Sequence, residues 1–295
     1  MVILRKAIGV AVLGTTLALL ASGTADAAVH KKKTAHSASV HKRKKPAPVV
    51  KKPAPVVTRV NLDDPKRKDI AMQLVSSAEN SSLNWRAQYG YIEDIGDGRG
   101  YTGGIIGFCS GTGDMLEVVT AYTAKVPSNP LAAYLPALRA VNGSESHAGL
   151  GTGFVAAWKS AATDVAFQQA QDAERDHVYF NPAVAQAKAD GLRALGQFAY
   201  YDAMVMHGPG NDPSSFGGIR KAALAKAKPP AQGGDETAYL NAFLDARKAA
   251  MLTEEAHSDT SRVDTEQRVF LKAGNLDLNP PLTWKTYGDS YTING

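Results

Sequence analysis

From Asp63 onward, apolar residues recur at helical spacing through most of the chain, and the breaks in that spacing divide it into elements. Asp63-Asp64-Pro65 offers acidic capping and a first-turn proline; Ile70, Leu74, Val75 and Ala78 then share one face. This pattern predicts a helix that ends near Glu79-Asn80. Residues 84–113 are too rich in glycine for a helix, so short strands and turns are expected there. Helical spacing returns over 112–125, where Met115, Leu116, Val119 and Tyr122 align, and over 130–141. It continues over 153–176, 182–206, 214–226, 235–256 and 261–272. There is no series of β-α-β units and no internal repeat. The expected body is mainly α (α+β), with one small β region after its first helix.

The first sixty residues follow a different pattern. Arg5 and Lys6, an apolar run over 7–20 and Ala25-Asp26-Ala27 together read as an export signal occupying 1–27, because the run is shorter than a membrane span of about 20 residues. Residues 28–60 alternate lysine runs with Ala-Pro-Val-Val, hold ten Lys/Arg and no acid, and offer little to pack. An extended basic arm is expected there. The net charge of +5 therefore averages two unlike parts: the body, 61–295, has 21 bases against 27 acids, a net of −6. An acidic body favours cationic partners, whereas the arm suits an anionic polymer such as a cell-wall phosphate polymer or serves as a solubilising spacer. The expected product is a secreted, extracellular monomer that has no membrane segment once the signal is cleaved and no specific nucleic-acid partner. Its single cysteine, Cys109, excludes an intramolecular disulfide.

Several motifs fail on their context. Gly98-Arg99-Gly100-Tyr101-Thr102-Gly103 matches a dinucleotide fingerprint in letters, but Gly104-Ile105-Ile106-Gly107 follows where a helix should begin. Gly107-Phe108-Cys109-Ser110-Gly111 mimics a nucleophile elbow without the α/β sheet that such a turn needs, so Cys109 reads as a small buried thiol. Asp94-Ile95-Gly96-Asp97-Gly98 lacks the later ligands of a calcium loop, and the histidines are scattered. No metal or cofactor is called for. Trp85, Trp158 and Trp284 read as core.

The carboxylates say more. Glu79 falls at the end of the first helix among Ser76, Ser77, Asn80, Ser81 and Ser82, and Asp97 lies in a glycine turn. A helix-end Glu and a loop Asp facing one another are what glycosidic cleavage uses: a protonated acid for the leaving oxygen and an ionised carboxylate opposite. Asp202 lies within an apolar helical run, where an unpaired carboxylate would be costly, and Arg247 and Arg262 are its candidate partners. That group reads as a structural ion pair, as a charge network behind a nearby acid, or as both.

These stretches resemble the family 46 glycoside hydrolases, the chitosanases secreted by soil bacteria. The resemblance is carried by Ser76-Ser77-Ala78-Glu79-Asn80-Ser81-Ser82, by the run from Tyr91 through Asp97 to Gly104, and by Gly107-Phe108-Cys109-Ser110-Gly111-Thr112-Gly113-Asp114. Gly196-Gln197-Phe198-Ala199-Tyr200-Tyr201-Asp202, His207-Gly208-Pro209-Gly210 and residues 259–279 extend it over 61–295. It implies a lysozyme-like fold of two mostly helical lobes around a cleft, and endo-hydrolysis of β-1,4-linked glucosamine polymers with inversion. Under it Glu79 matches the general acid, Asp97 the general base, and Thr102 the residue that helps hold the attacking water. Asp202, Arg247 and Arg262 match the ionic network behind the acid, and Asp114 a principal binder of the glucosamine amine. Tyr91, Ser81, Arg99, Gly107, Glu254 and His257 look like further cleft residues.

The charge pattern agrees with that substrate, because protonated chitosan is a polycation. Inversion would need the two carboxyls roughly 6.5–9.5 Å apart, leaving room for water. Two rival readings keep the same residues. A lysozyme-like peptidoglycan hydrolase fits the basic arm but not the acidic body; a non-catalytic protein would merely capture glucosamine polymers.

Overall fold

The computed structural model describes residues 60–254 and 258–295. The export signal, all of the basic arm but its last residue, and His257 lie outside the described residues.

Helix α1, Pro65–Glu79, begins where the sequence predicts. The Asp64 carboxylate accepts from the Lys66 and Arg67 amides, Pro65 occupies the first turn, and Ile70, Leu74 and Val75 are buried. The helix stops at Glu79 because Ser81 turns into the left-handed region (φ 50°). A short 3-10 turn, Trp85–Gly90, leads to a three-stranded antiparallel sheet: β1 (Ile92–Asp94), β2 (Tyr101–Gly103) and β3 (Phe108–Cys109), in that order. Its register sets Thr102 opposite Glu93 on one side and Cys109 on the other, so these three side chains share one face.

The helices α2 (Asp114–Lys125), α3 (Leu135–Val141), α4 (Thr152–Ala161) and α5 (Val165–Arg175) pack beside this sheet as a first group. Through a wide π turn at Asp176–Phe180, α5 runs on into α6 (Asn181–Ala189). The second group comprises α1 and α6, α7 (Ala194–His207), α8 (Phe216–Leu224), α9 (Glu236–Met251) and α10 (Arg268–Lys272). A further π turn, Arg262–Gln267, leads into α10, and a hairpin of β4 (Leu282–Thr286) and β5 (Asp289–Ile293) closes the chain. One continuous apolar core joins the two groups, with Trp85, Trp158 and Trp284 all inside it.

The mainly helical body and its β region after the first helix match expectation, but three features differ. The helix expected over 153–176 is two, because the Asp164 side chain caps a new helix at the Ala166 amide. The helix expected over 182–206 breaks at Gly191, where φ is +80°. The closing hairpin was not expected, although its alternation of buried Leu282, Trp284 and Thr286 with exposed Thr283 and Lys285 is the period-two signature of a strand.

Candidate active site

Glu79 ends α1 with its side chain about one-third exposed, and the Arg262 Nη1 donates to its Oε1 at 2.5 Å. The other arm of Arg262, Nη2, donates to Asp202 Oδ1. Asp202 Oδ2 accepts from Arg247 Nη1 at 2.6 Å and from Gln267 Nε2 at 2.7 Å. Burial by itself would push the Asp202 carboxyl up; the two guanidiniums outweigh it and hold it below the usual carboxylate range. The expected partners of Asp202 are thus both present, and the network reaches Glu79 through Arg262. The hairpin buttresses this group: Trp284 Nε1 donates to Ser77 Oγ, two residues before the end of α1, and Thr286 Oγ1 donates to buried Glu266 at 3.1 Å.

Asp97 lies in the β1–β2 turn, its carboxylate shielded from solvent. Its Oδ1 accepts from the Arg99 amide at 3.0 Å, and its Oδ2 from Arg99 Nε at 2.8 Å and Nη2 at 2.6 Å. Gly96, Gly98 and Gly100 all have positive φ, which lets the backbone fold this tightly around the pair. Thr102 follows on β2, buried, with its hydroxyl 3.4 Å from Cys109 Sγ. Asp114 opens α2; its Oδ1 takes the Cys109 amide at 2.9 Å, the Thr112 hydroxyl at 2.7 Å and the Met115 amide at 3.0 Å, and no described residue donates to Oδ2. Burial pushes the Asp114 carboxyl up, against those hydrogen bonds.

Glu79 and its network belong to the second group of elements; Asp97, Arg99, Thr102 and Asp114 belong to the first. The α5–α6 segment touches both. Its Tyr179 senses the charges of Asp114 and Arg99, while Arg175 and Asp176 act on Tyr201, which also senses Glu79 and Asp202. Tyr91 sits beside Asp97 and donates to Glu93 Oε2 at 3.3 Å, and burial, reinforced by those acids, pushes its phenol up. Gly107 has φ +77° and lies against the Thr102 methyl. Ser81 is exposed, and Glu254 lies past the end of α9 with its amide on Met251 O.

Residues 73–282 match the family model described as Glycosyl hydrolase family 46. The chain belongs to this family. It is 80% identical over 233 residues to a chitosanase of Streptomyces sp. (strain N174), a match covering 79% of this chain and 84% of that one. Among solved structures, it is similar to chitosanase OU01 crystallised with substrate (TM-score 0.78, 66% identity, 80% of this chain and 100% of that one). It is also similar to a family 46 chitosanase of Gynuella sunshinyii in complex with chitotetraose (TM-score 0.71, 37% identity, 77% and 96%). This family 46 protein is therefore a glycoside hydrolase with the mainly helical, lysozyme-like fold that the sequence resemblance implied.

Sequence reasoning missed Gln267 and Glu266 in this glycoside hydrolase. Both lie on the apolar face with Val263 and Phe270, so two polar residues at core positions were the available signal. It also missed the contact between Cys109 and Thr102, which follows from a strand register that no residue in the turn announces.

Proposed function

We propose that this family 46 enzyme cuts internal β-1,4 bonds of chitosan with inversion, Glu79 acting as general acid and Asp97 as general base. What carries the reading is that each carboxylate is aimed by its own guanidinium: Arg262 holds Glu79 in the second group of elements, and Arg99 holds Asp97 in the first. In the proposed step, Glu79 protonates the glycosidic oxygen, which leaves with the electrons of its bond to the anomeric carbon. Water adds to that carbon from the opposite face and passes one proton to Asp97, with Thr102 holding the water. Asp202 counters Arg262 and Arg247, so the charge facing Glu79 is already partly neutralised.

Substrate choice follows from charge. The open Oδ2 of Asp114 suits a glucosamine ammonium, for which a charge-assisted hydrogen bond replaces a costly buried carboxylate. Tyr91, Ser81, Arg99, Gly107, Glu254 and His257 complete the proposed substrate cleft. The relatives named above are chitosanases, two of them solved with substrate or chitotetraose, which supports this class over peptidoglycan. Residues 1–27 are read as an export signal and 28–60 as the basic arm, ahead of a catalytic domain at 61–295. No helix among the described residues is long and apolar enough to cross a membrane.

The test is anomeric NMR of the first products from a glucosamine hexamer, with Glu79→Gln and Asp97→Asn alongside. Inverted product, and a fall in kcat of about 100-fold or more in each variant with oligomer binding kept, support the reading. Retained configuration or near-normal turnover in either variant refutes it.

A further inference from the structure

The cross-strand pair Thr102 and Cys109 raises a question of hydrogen placement. Thr102 Oγ1 and Cys109 Sγ lie 3.4 Å apart, and the same sulfur lies 3.3 Å from the carbonyl oxygen of Gly107, to which it donates. A thiol has one hydrogen. Cys109 is buried, and that burial pushes its thiol up, so the hydrogen stays on sulfur. Once it points to Gly107, the sulfur can only accept from Thr102. The single hydroxyl hydrogen of Thr102 is thereby used, and its oxygen lone pairs remain for another donor.

We infer that Cys109 is a positioning residue: by taking the Thr102 hydroxyl hydrogen, it makes Thr102 an obligatory acceptor for the attacking water. The inference rests on the roles proposed above for Asp97 and Thr102. With Thr102 accepting, the water spends one hydrogen on Thr102 and the other on Asp97, so a lone pair is directed at the anomeric carbon. As the new carbon–oxygen bond forms, one proton moves to Asp97, and the second stays on the product hydroxyl. Cys109 neither gains nor loses a proton. If the sulfur is removed, the Thr102 hydroxyl is free to turn its hydrogen toward the water and tie up one of its lone pairs. That change lowers the rate of attack while leaving binding of the sugar chain intact.

The test measures kcat and KM on a glucosamine hexamer for Cys109→Ala, Cys109→Ser, Thr102→Ala and the double variant Cys109→Ala/Thr102→Ala. Cys109→Ala should lower kcat about tenfold at unchanged KM, and should add nothing once Thr102 is already alanine. Cys109→Ser, which keeps one donor hydrogen and an acceptor, should recover most of the loss. If Cys109→Ala does not fold, Cys109→Val, which keeps bulk without an acceptor, is read in its place. An equal loss in both backgrounds, or none in the wild-type background, overturns the inference while leaving the role of Thr102 intact. Unchanged kcat in Thr102→Ala overturns the role of Thr102 itself, and the inference with it.

Discussion

Arg262 links the half-buried end of α1 to a buried carboxylate, donating to Glu79 through Nη1 and to Asp202 through Nη2. One planar side chain therefore transmits the position of a core ion group to a residue that faces solvent. Lysine could not do this with the same geometry, because a single ammonium lacks the two-armed fork. Glu79 is placed less by its own helix than by what lies behind Arg262.

Removing Asp202 should therefore be severe. Arg247 and Arg262 are both buried, and Asp202→Ala would leave two guanidiniums facing each other without their counter-ion. Breaking such a group costs about 3–5 kcal/mol. The urea midpoint should fall accordingly, and kcat on glucosamine oligomers should fall with it even at temperatures where the variant is folded. A variant as stable and active as the parent would show that Gln267 and Glu79 hold Arg247 and Arg262 without it.

Glu266 makes an opposite prediction about pH. It is buried beside Asp202, Arg262 and Arg247 and accepts from Thr286; burial, reinforced by the Asp202 charge, pushes its carboxyl well above the ordinary glutamate value. A carboxyl raised on folding holds its proton longer in the native state than in the unfolded chain. Its contribution is full below the ordinary glutamate value and is lost as pH rises through the native one. Glu266→Gln removes that loss. Relative to the parent, it should gain stability as pH increases from about 4.5, by up to about 1.4 kcal/mol per pH unit until the native carboxyl ionises. Urea unfolding at acid and neutral pH measures this; a pH-independent difference would mean that Glu266 is already ionised in the native state.

How much of this was legible depended on whether the signal was local. The start of α1, its buried face and its end at Glu79 follow from a cap, a proline and apolar spacing within fifteen residues. Asp202 stood out because a charge amid apolar neighbours demands partners, and two arginines on later helices were the available ones. The breaks near Asp164 and Gly191 were hidden because apolar spacing continues on both sides of each turn. The hairpin that braces Ser77 and Glu266 is only five residues per strand, too short for alternation to stand out from chance. The Thr102–Cys109 contact needed a pairing register, which is a property of two strands and not of either one.

Gly107 offers a way to move Thr102 without changing it. At φ +77° an alanine is strained, and its Cβ would also stand 3.2 Å from the Thr102 methyl carbon. Gly274, after α10, has φ +68° with nothing within 4 Å of a built Cβ. Gly107→Ala and Gly274→Ala should each cost about 1–2 kcal/mol of stability by thermal or urea unfolding. Only Gly107→Ala should also lower kcat, because only there does the new carbon press on a proposed water-holding residue. Equal kcat in the two variants would remove Gly107 from the site.

The basic arm should act apart from catalysis. Residues 28–60 carry ten positive charges and no acid, the same sign as protonated chitosan, so they repel the substrate that the acidic body attracts. Deleting them should leave kcat and KM on soluble glucosamine oligomers unchanged. Attraction to an anionic wall polymer would show instead as retention on cells at low salt. Raising salt from about 0.1 M to about 1 M shortens the screening length from about 10 Å to about 3 Å and should release the protein. The deletion variant should not be retained at either salt. Retention that ignores salt would count against attachment by charge, and a large fall in oligomer turnover on deletion would place the arm in the site.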